Sequence, residues 1–184
     1  MNPNNNIPEF SFYRAPITNV LPHKTVTLQQ VYNAIVGDHY KDRTAKLRTI
    51  TDPKQARKFK AANFDYCTFS GVFTTRSDKA IVNPSGLLCI DFDHLSDVEK
   101  LFNRLLQDDF FDTQLLFRSP SGNGLKWIIT INTHNLLHST YFAAVANYIL
   151  KTYRIAPDKS GSDLSRACFL SHDPQACINP LYLK

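Results

Sequence analysis

Asp91 and Asp93 stand two residues apart at the end of the apolar run GLLCIDFDH, so a strand through this run carries both carboxylates on one face. Like charges at that spacing repel, and a hard divalent cation with oxygen ligands relieves the repulsion. Mg2+ in particular is held by one or two carboxylates together with substrate phosphates. Two solubilising acids at a strand end have the same pattern, so the pair alone is a weak signal. Two further stretches strengthen it. In SPSGNGLK, residues 119–126, Gly122 and Gly124 permit positive φ and close backbone approach. Ser119, Ser121 and Asn123 add polar groups for an anion-holding nest, and Lys126 adds a compact cation. The same Gly-Asn-Gly also suits a plain hairpin connection. In APDKSGSDLSRACFLSHDP, Asp158 or Asp163 offers a third carboxylate, and Arg166 offers a fork for a triphosphate or a transition-state charge. A turn-rich loop with a structurally paired arginine is the plainer account of that stretch.

The elements that must position these residues follow from periodicity. FSFYRA reads as a strand, and Thr27 caps a helix in TLQQVYNAIVG whose Leu28, Val31 and Ile35 share a face before Gly37. A second helix starts near Thr51, with Pro53 early in it and a basic run through Lys54 to Lys60. YCTFSGVF is a strand and turn. GLLCIDF is a strand, SDVEKLFNRLL a helix with Ser96 and Glu99 at capping-box spacing, and TQLLFR and LKWIITI are strands around the SPSGNG turn. HSTYFAAVANYILKTY is a helix and SRACFLS a final strand. The order β-α-β-β-α-β predicts an α+β fold of the ferredoxin-like or RNA-recognition-motif (RRM) kind, two helices on one face of an antiparallel sheet and the other face open. Strand parity puts Asp91, Asp93 and Lys126 on that open face, with Arg166 able to join them. The expected organisation is a flexible arm at 1–8, an N-terminal α/β unit at 9–85 and the RRM-like unit at 86–184, the two units packed as one domain.

Composition narrows the function classes. The chain has 184 residues, 43% hydrophobic and 12% aromatic, enough for a sizeable core. A net charge of +5 makes a polyanionic partner plausible without requiring one. The four cysteines contain no CxxC pair, and Cys168, His172 and Cys177 read as two thiols and a loop histidine rather than a zinc site. The start MNPNNNIPEF lacks the basic and apolar regions of a signal peptide, and no apolar run is long enough for a membrane span; the expected location is the cytoplasm, with no membrane partner.

Taken together, CIDFD, SPSGNGLK, the PD at 157–158 and the SR at 165–166 resemble the archaeo-eukaryotic primase, or primase-polymerase, superfamily. More narrowly, GLLCIDFDHL, FRSPSGNGLKWII and DLSRACFLSHDP, over about residues 60–180, look like the N-terminal domain of virulence-associated protein E-like proteins of bacterial mobile elements, which often precedes a helicase-type ATPase region. The resemblance implies a nucleotidyltransferase that binds a single-stranded DNA template and NTP or dNTP during replication. Asp91, Asp93 and Asp158 would hold Mg2+ or Mn2+, while Ser119, Ser121, Gly122, Asn123, Gly124, Lys126 and Arg166 would hold the nucleotide. Lys126 stands where the superfamily usually has histidine; lysine keeps the charge but does not switch protonation near neutral pH. The rival expectations are a nucleic-acid-binding module of the same fold without turnover, and an accessory domain whose basic helix docks a partner.

Overall fold

Residues 87–92, LLCIDF, alternate between two buried faces rather than between core and solvent, and that double burial organises the molecule. The computed structural model describes residues 7–132 and 137–183. The arm expected at 1–8 therefore falls outside the described residues except for Ile7 and Pro8.

The chain begins with β1 (Glu9–Tyr13) and β2 (Lys24–Thr27), followed by α1 (Leu28–Val36), α2 (Lys41–Thr49) and α3 (Pro53–Asn63). Short strands β3 (Tyr66–Thr68), β4 (Gly71–Phe73) and β5 (Ile81–Pro84) lead to β6 (Leu87–Phe92). Then come α4 (Val98–Leu106), β7 (Thr113–Arg118), β8 (Leu125–Thr130) and α5 (His138–Tyr153), and finally β9 (Cys168–Phe169) and β10 (Cys177–Ile178). The fold is α+β with antiparallel sheets: one ordered β2-β1-β3-β9, one ordered β10-β7-β8-β6, and the β4-β5 hairpin. Among the described residues no helix is long and apolar enough to cross a membrane.

Local sequence explains most of these elements. The Thr27 hydroxyl accepts the Gln30 N–H while the Gln30 side chain accepts the Thr27 N–H, a capping box worth about 1 kcal/mol that starts α1. Asp52 caps α3 by accepting the Gln55 N–H at 2.7 Å, with Pro53 in the first turn where no backbone donor is needed. The cap of α4 is Asp97, which accepts the Lys100 N–H at 2.9 Å, not Ser96. Both are good caps, and the helix starts one residue later than the Ser96–Glu99 spacing predicts.

Two cores share the central sheet. Leu88, Ile90 and Phe92 of β6, Leu116 of β7 and Leu125, Trp127 and Ile129 of β8 pack against Leu101 and Leu105 of α4 and Phe142, Val145 and Ile149 of α5. Each fully buried side chain of this size contributes about 1.5–3 kcal/mol. Trp127 meets its polar requirement by donating to the Thr113 hydroxyl at 2.8 Å. On the opposite face Leu87, Leu115, Phe117 and Ile128 pack against Phe10, Val26, Ile35, Cys67 and Leu170.

That second core corrects the expectation of an open sheet face. Parity puts Asp91 and Lys126 on this face, but it puts Ile128, Leu115 and Phe117 there too, and apolar area of that size requires cover. The β2-β1-β3-β9 sheet and α1 supply it, leaving the polar end of β6 and β8 at the margin. The final strand is corrected as well. Only Cys168–Phe169 of SRACFLS is strand, and it pairs with β3 (Tyr66↔Phe169, Cys67↔Cys168) rather than with β6. The edge of β6 is instead met by the 155–163 segment, whose Asp158 N–H donates to the Asp91 carbonyl at 2.9 Å.

Candidate functional site

β6 and β8 are registered with Asp91 opposite Lys126 and Phe92 opposite Leu125. The Lys126 ammonium pairs with Asp91 Oδ1, and the two residues are 6% and 8% exposed. A buried lysine is favoured in its neutral form; here the burial effect on Lys126 is outweighed by Asp91 beside it, and the ammonium is held charged above its ordinary range.

Asp93 leaves β6 exposed, at a turn where His94 takes φ 54° and the Leu95 N–H donates to the Asn123 carbonyl at 2.9 Å. The SPSGNG loop thus anchors the Asp93 turn. Asp158 arrives from the far side of the chain. Its carboxylate accepts the Ser160 N–H at 2.9 Å, capping the short turn Lys159–Ser162, and takes an Arg166 guanidinium nitrogen at 3.0 Å. Burial alone raises the Asp158 pKa, but the Ser160 donors, then Arg166 and Lys126, outweigh it and hold the carboxyl below the usual range. Arg166 also lies 3.7 Å from Asp91 Oδ2.

The outcome is one cluster: a carboxylate oxygen from each of Asp91, Asp93 and Asp158 lies within 4.8 Å of the others. Among the described residues this is the one group of three or more histidine, cysteine, aspartate or glutamate side chains at that spacing. Of the two alternatives for the third acid, Asp158 is the one whose carboxylate completes this cluster. Asp163 lies outside the triad, on the wall of a cleft whose lining includes Asp91 and Asp93 but not Asp158. Cys168, His172 and Cys177 form no such group, and His172 Nδ1 is bonded to the Gly37 carbonyl at 2.9 Å.

Asp91, Asp93, Lys126 and Arg166 line a cleft of about 450 Å³. Sequence reasoning missed much of the rest of its wall. Arg76, Ile17, Ala167 and Phe169 face it, as does Lys60, which the sequence assigns only to a basic helix face. Lys60 is the last basic residue of α3; its ammonium stands 5.6 Å from the centre of the Phe169 ring. Burial, then the nearby Lys126, push the Lys60 pKa down, against the pull of Asp93 and Asp91.

At 119–124, the stretch expected to form a nest, the backbone closes a hairpin turn. Ser119 N–H donates to the Gly124 carbonyl at 2.8 Å and Gly122 N–H to the Ser119 carbonyl at 2.9 Å, so these two donors are used within the turn. Arg48 holds the Pro120 carbonyl from outside at 3.2 Å. Gly122 has φ +81°, and a Cβ on Gly124 would lie 2.2 Å from the Phe92 carbonyl oxygen, so both glycines serve the hairpin itself. Ser119, Ser121, Gly122, Asn123 and Gly124 lie outside the cleft wall, whereas Lys126 is part of it.

Neither the curated proteins nor the solved structures contain a match to this chain. A family model does match, over residues 58–177, a span that holds the three aspartates, Lys60, Lys126 and Arg166. It is the model of the BT4734-like, N-terminal domain, and it replaces the assignment to the primase-polymerase superfamily and the virulence-associated protein E-like domain: short acid, glycine and arginine motifs are shared across unrelated phosphate-handling proteins, whereas the match extends over more than half of the chain. With the triad, the intervening hairpin and every residue of the cleft wall but Ile17 inside the matched span, the chain belongs to the BT4734-like, N-terminal domain family.

Proposed function

We propose that the cleft binds a nucleoside triphosphate with Mg2+ or Mn2+ and transfers a nucleotidyl group on a DNA template, the chemistry of a primase or polymerase. One observation carries this reading: three carboxylates gathered within 4.8 Å, two of which, Asp91 and Asp93, line a cleft of about 450 Å³ together with a buried lysine and an arginine. The donor set is entirely oxygen, which fits hard divalent cations and not zinc or copper. When bound, such ions lower the pKa of an attacking hydroxyl and offset the charge of a leaving pyrophosphate.

The protein's own groups divide the remaining work. Asp91, Asp93 and Asp158 are the metal ligands. Lys126 and Arg166, which pair with these acids, are placed to take triphosphate oxygens once the acids bind metal, Arg166 with two nitrogens at once. Lys60 and Arg76 add positive charge from the other wall, and Ile17 and Phe169 give an apolar surface for the base. Ser119, Ser121, Gly122, Asn123 and Gly124 act indirectly, by fixing the hairpin that holds Lys126 and the Asp93 turn. The exposed bases Lys54, Arg57 and Lys58 of α3 offer a salt-sensitive track for a template strand. In this reading the β6-α4-β7-β8-α5 segment is an RRM-like scaffold whose fourth strand has passed to the neighbouring sheet.

A second reading, a nucleic-acid-binding module without turnover, is favoured by the pairing itself, since Lys126 and Arg166 balance two of the three acids with no metal required. One assay separates the two. The chain is supplied with primed and unprimed single-stranded DNA, NTP or dNTP, and Mn2+ or Mg2+, beside the Asp91→Asn/Asp93→Asn variant. Transferase activity predicts product that the variant abolishes. No product under any condition, with DNA binding in EDTA unaltered by the variant, leaves the binding module.

A further inference from the structure

A second hollow, of about 470 Å³, opens between β1, β2, α1 and the start of α2. Its floor is apolar: Val26, Val31 and Leu170 are buried there, and Phe12 is half-buried. Its rim is cationic, with Arg14 and Lys24 exposed and Arg43 half-buried. Asp65, the one carboxylate of the hollow, is already engaged, accepting the Ala15 N–H at 2.8 Å and the Tyr40 hydroxyl at 3.3 Å, with Arg43 at 3.5 Å. The positive charge of Arg14 and Lys24 is therefore left over. Lys24 rests over the Phe12 ring at 5.7 Å, a contact that a long exposed side chain can exchange for a phosphate.

An apolar floor under a surplus of permanent cations fits a flat apolar group flanked by anions. A nucleotide of a single strand has that form, an unstacked base between two phosphates. The position of the hollow favours a strand over a free metabolite. Arg14 lines this hollow and Ile17 lines the acidic cleft, so residues on the two walls stand three positions apart in the chain, at most about 11 Å between their Cα atoms. That is about three nucleotides at the rise of a stacked strand. Both openings also flank the end of α3, where Arg43 holds the Asn63 carbonyl at 3.0 Å and Lys60 faces the cleft one turn earlier.

We propose that this hollow is a subsite for one unstacked nucleotide of a nucleic-acid strand that continues into the acidic cleft. The direction of the strand rests on the reading of the cleft given above; the subsite itself does not.

The test is the binding of a labelled oligothymidylate of about ten nucleotides to the whole chain in EDTA, followed by anisotropy across a salt series. Arg14→Ala/Lys24→Ala removes two phosphate contacts and lowers the slope of log affinity against log salt by about 1.4, at about 0.7 per contact. Phe12→Leu, which keeps the floor filled, weakens binding about fivefold or more without changing the slope, and Phe12→Tyr restores it. Lys151→Ala/Arg154→Ala, at the exposed end of α5, leaves the slope at the wild-type value. An unchanged slope in the Arg14/Lys24 variant, an equal loss in the Lys151/Arg154 variant, or no binding by the wild-type chain overturns the proposal. Displacement of the oligonucleotide by thymidine monophosphate at equal concentration also overturns it, by making the hollow a mononucleotide pocket. Because metal is absent, the outcome does not depend on whether the acidic cleft catalyses.

Discussion

Lys126 and Asp91 face one another as register partners on β8 and β6 and form an ion pair with both side chains withdrawn from water. The desolvation cost of two such charges is several kcal/mol each, so the pair is stable only as a pair. Arg166 stands 3.7 Å from the second Asp91 oxygen, which makes the two partners unequal: Asp91 has a reserve cation, while Lys126 has no carboxylate but Asp91 within ion-pair distance among the described residues.

This inequality predicts an asymmetry in stability. Asp91→Ala strands a buried ammonium and costs about 3–5 kcal/mol. Lys126→Met keeps the length of the side chain and leaves Asp91 with Arg166, for a cost of about 1–3 kcal/mol. The double variant is more stable than Asp91→Ala alone, because the stranded charge is gone. Urea unfolding of the four proteins measures the cycle. Equal costs for the two single variants would show that Arg166 gives no compensation.

His138 opens α5 beside the segment that carries Asp158, with Nε2 at 3.3 Å from the Gly161 carbonyl. Burial pushes its pKa below 6.5, against the pull of Gly161, Asp78 and Asp163. The folded state therefore binds fewer protons than the unfolded state in the interval below pH 6.5. Its contribution is whole above that value and is lost as pH falls toward the folded pKa. The expected result is a fall in stability between pH 7 and pH 5 that flattens in His138→Gln, which keeps a donor for Gly161 and does not titrate. Denaturation midpoints at each pH report it, and the same fall in both proteins assigns the effect to other groups.

The elements with one clear apolar stripe were legible in the sequence. Thr27, Leu28, Val31 and Ile35 specify α1 and its cap, and His138–Tyr153 shows its helical face over its whole length. α2 was not legible because it buries only Thr44 and Leu47 and is charged all round, so no period marks it. β9 falls inside the strand expected at SRACFLS, but its length and partner escaped for a different reason: two residues of strand carry no pattern, and β3 is a hundred residues away, so tertiary pairing alone selects it. Strand parity brought Asp91 and Lys126 together on paper because adjacent antiparallel strands share faces. It did not reveal that Leu115, Phe117 and Ile128 would draw the second sheet over the rest of that face. Lys60, Arg76 and Phe169 reach the cleft only through that packing. The SPSGNG stretch illustrates a further limit, since the glycines that would build a nest are the same ones that close a hairpin.

The two glycines of that hairpin differ in what they tolerate. At Gly122 a methyl group would meet the flexible Arg48 side chain at 3.1 Å, and the main cost is the left-handed φ, about 1–2 kcal/mol. At Gly124 the methyl would lie 2.2 Å from the Phe92 carbonyl oxygen, which is backbone of β6 and cannot swing aside. Gly124→Ala must separate the start of β8 from the end of β6, moving Lys126 relative to Asp91 and Asp93. It should cost more than Gly122→Ala, about 3 kcal/mol, and should reduce Mn2+-dependent nucleotide binding where Gly122→Ala does not. Thermal unfolding and nucleotide titration of the two variants check both halves.

Charge balance at the triad predicts how metal and nucleotide depend on each other. Three carboxylates stand against the ammonium of Lys126 and the guanidinium of Arg166, so the cluster is near neutrality without any ion. A divalent cation entering alone must compete with both side chains for the same oxygens. On the proposed function, a triphosphate would give Lys126 and Arg166 new anionic partners and release the acids, so that each ligand would favour the other. Wild-type chain should therefore bind Mn2+ weakly in calorimetry alone, and at least fivefold more tightly with a non-hydrolysable nucleoside triphosphate. Lys126→Met should reverse the order of effects: Mn2+ alone binds more tightly than to wild type, because one competitor is gone, while the gain from nucleotide shrinks, because one phosphate partner is gone as well. A variant that binds Mn2+ no better than wild type would show that Lys126 does not compete for the triad, and the pairing of cation release with nucleotide entry would fall with it.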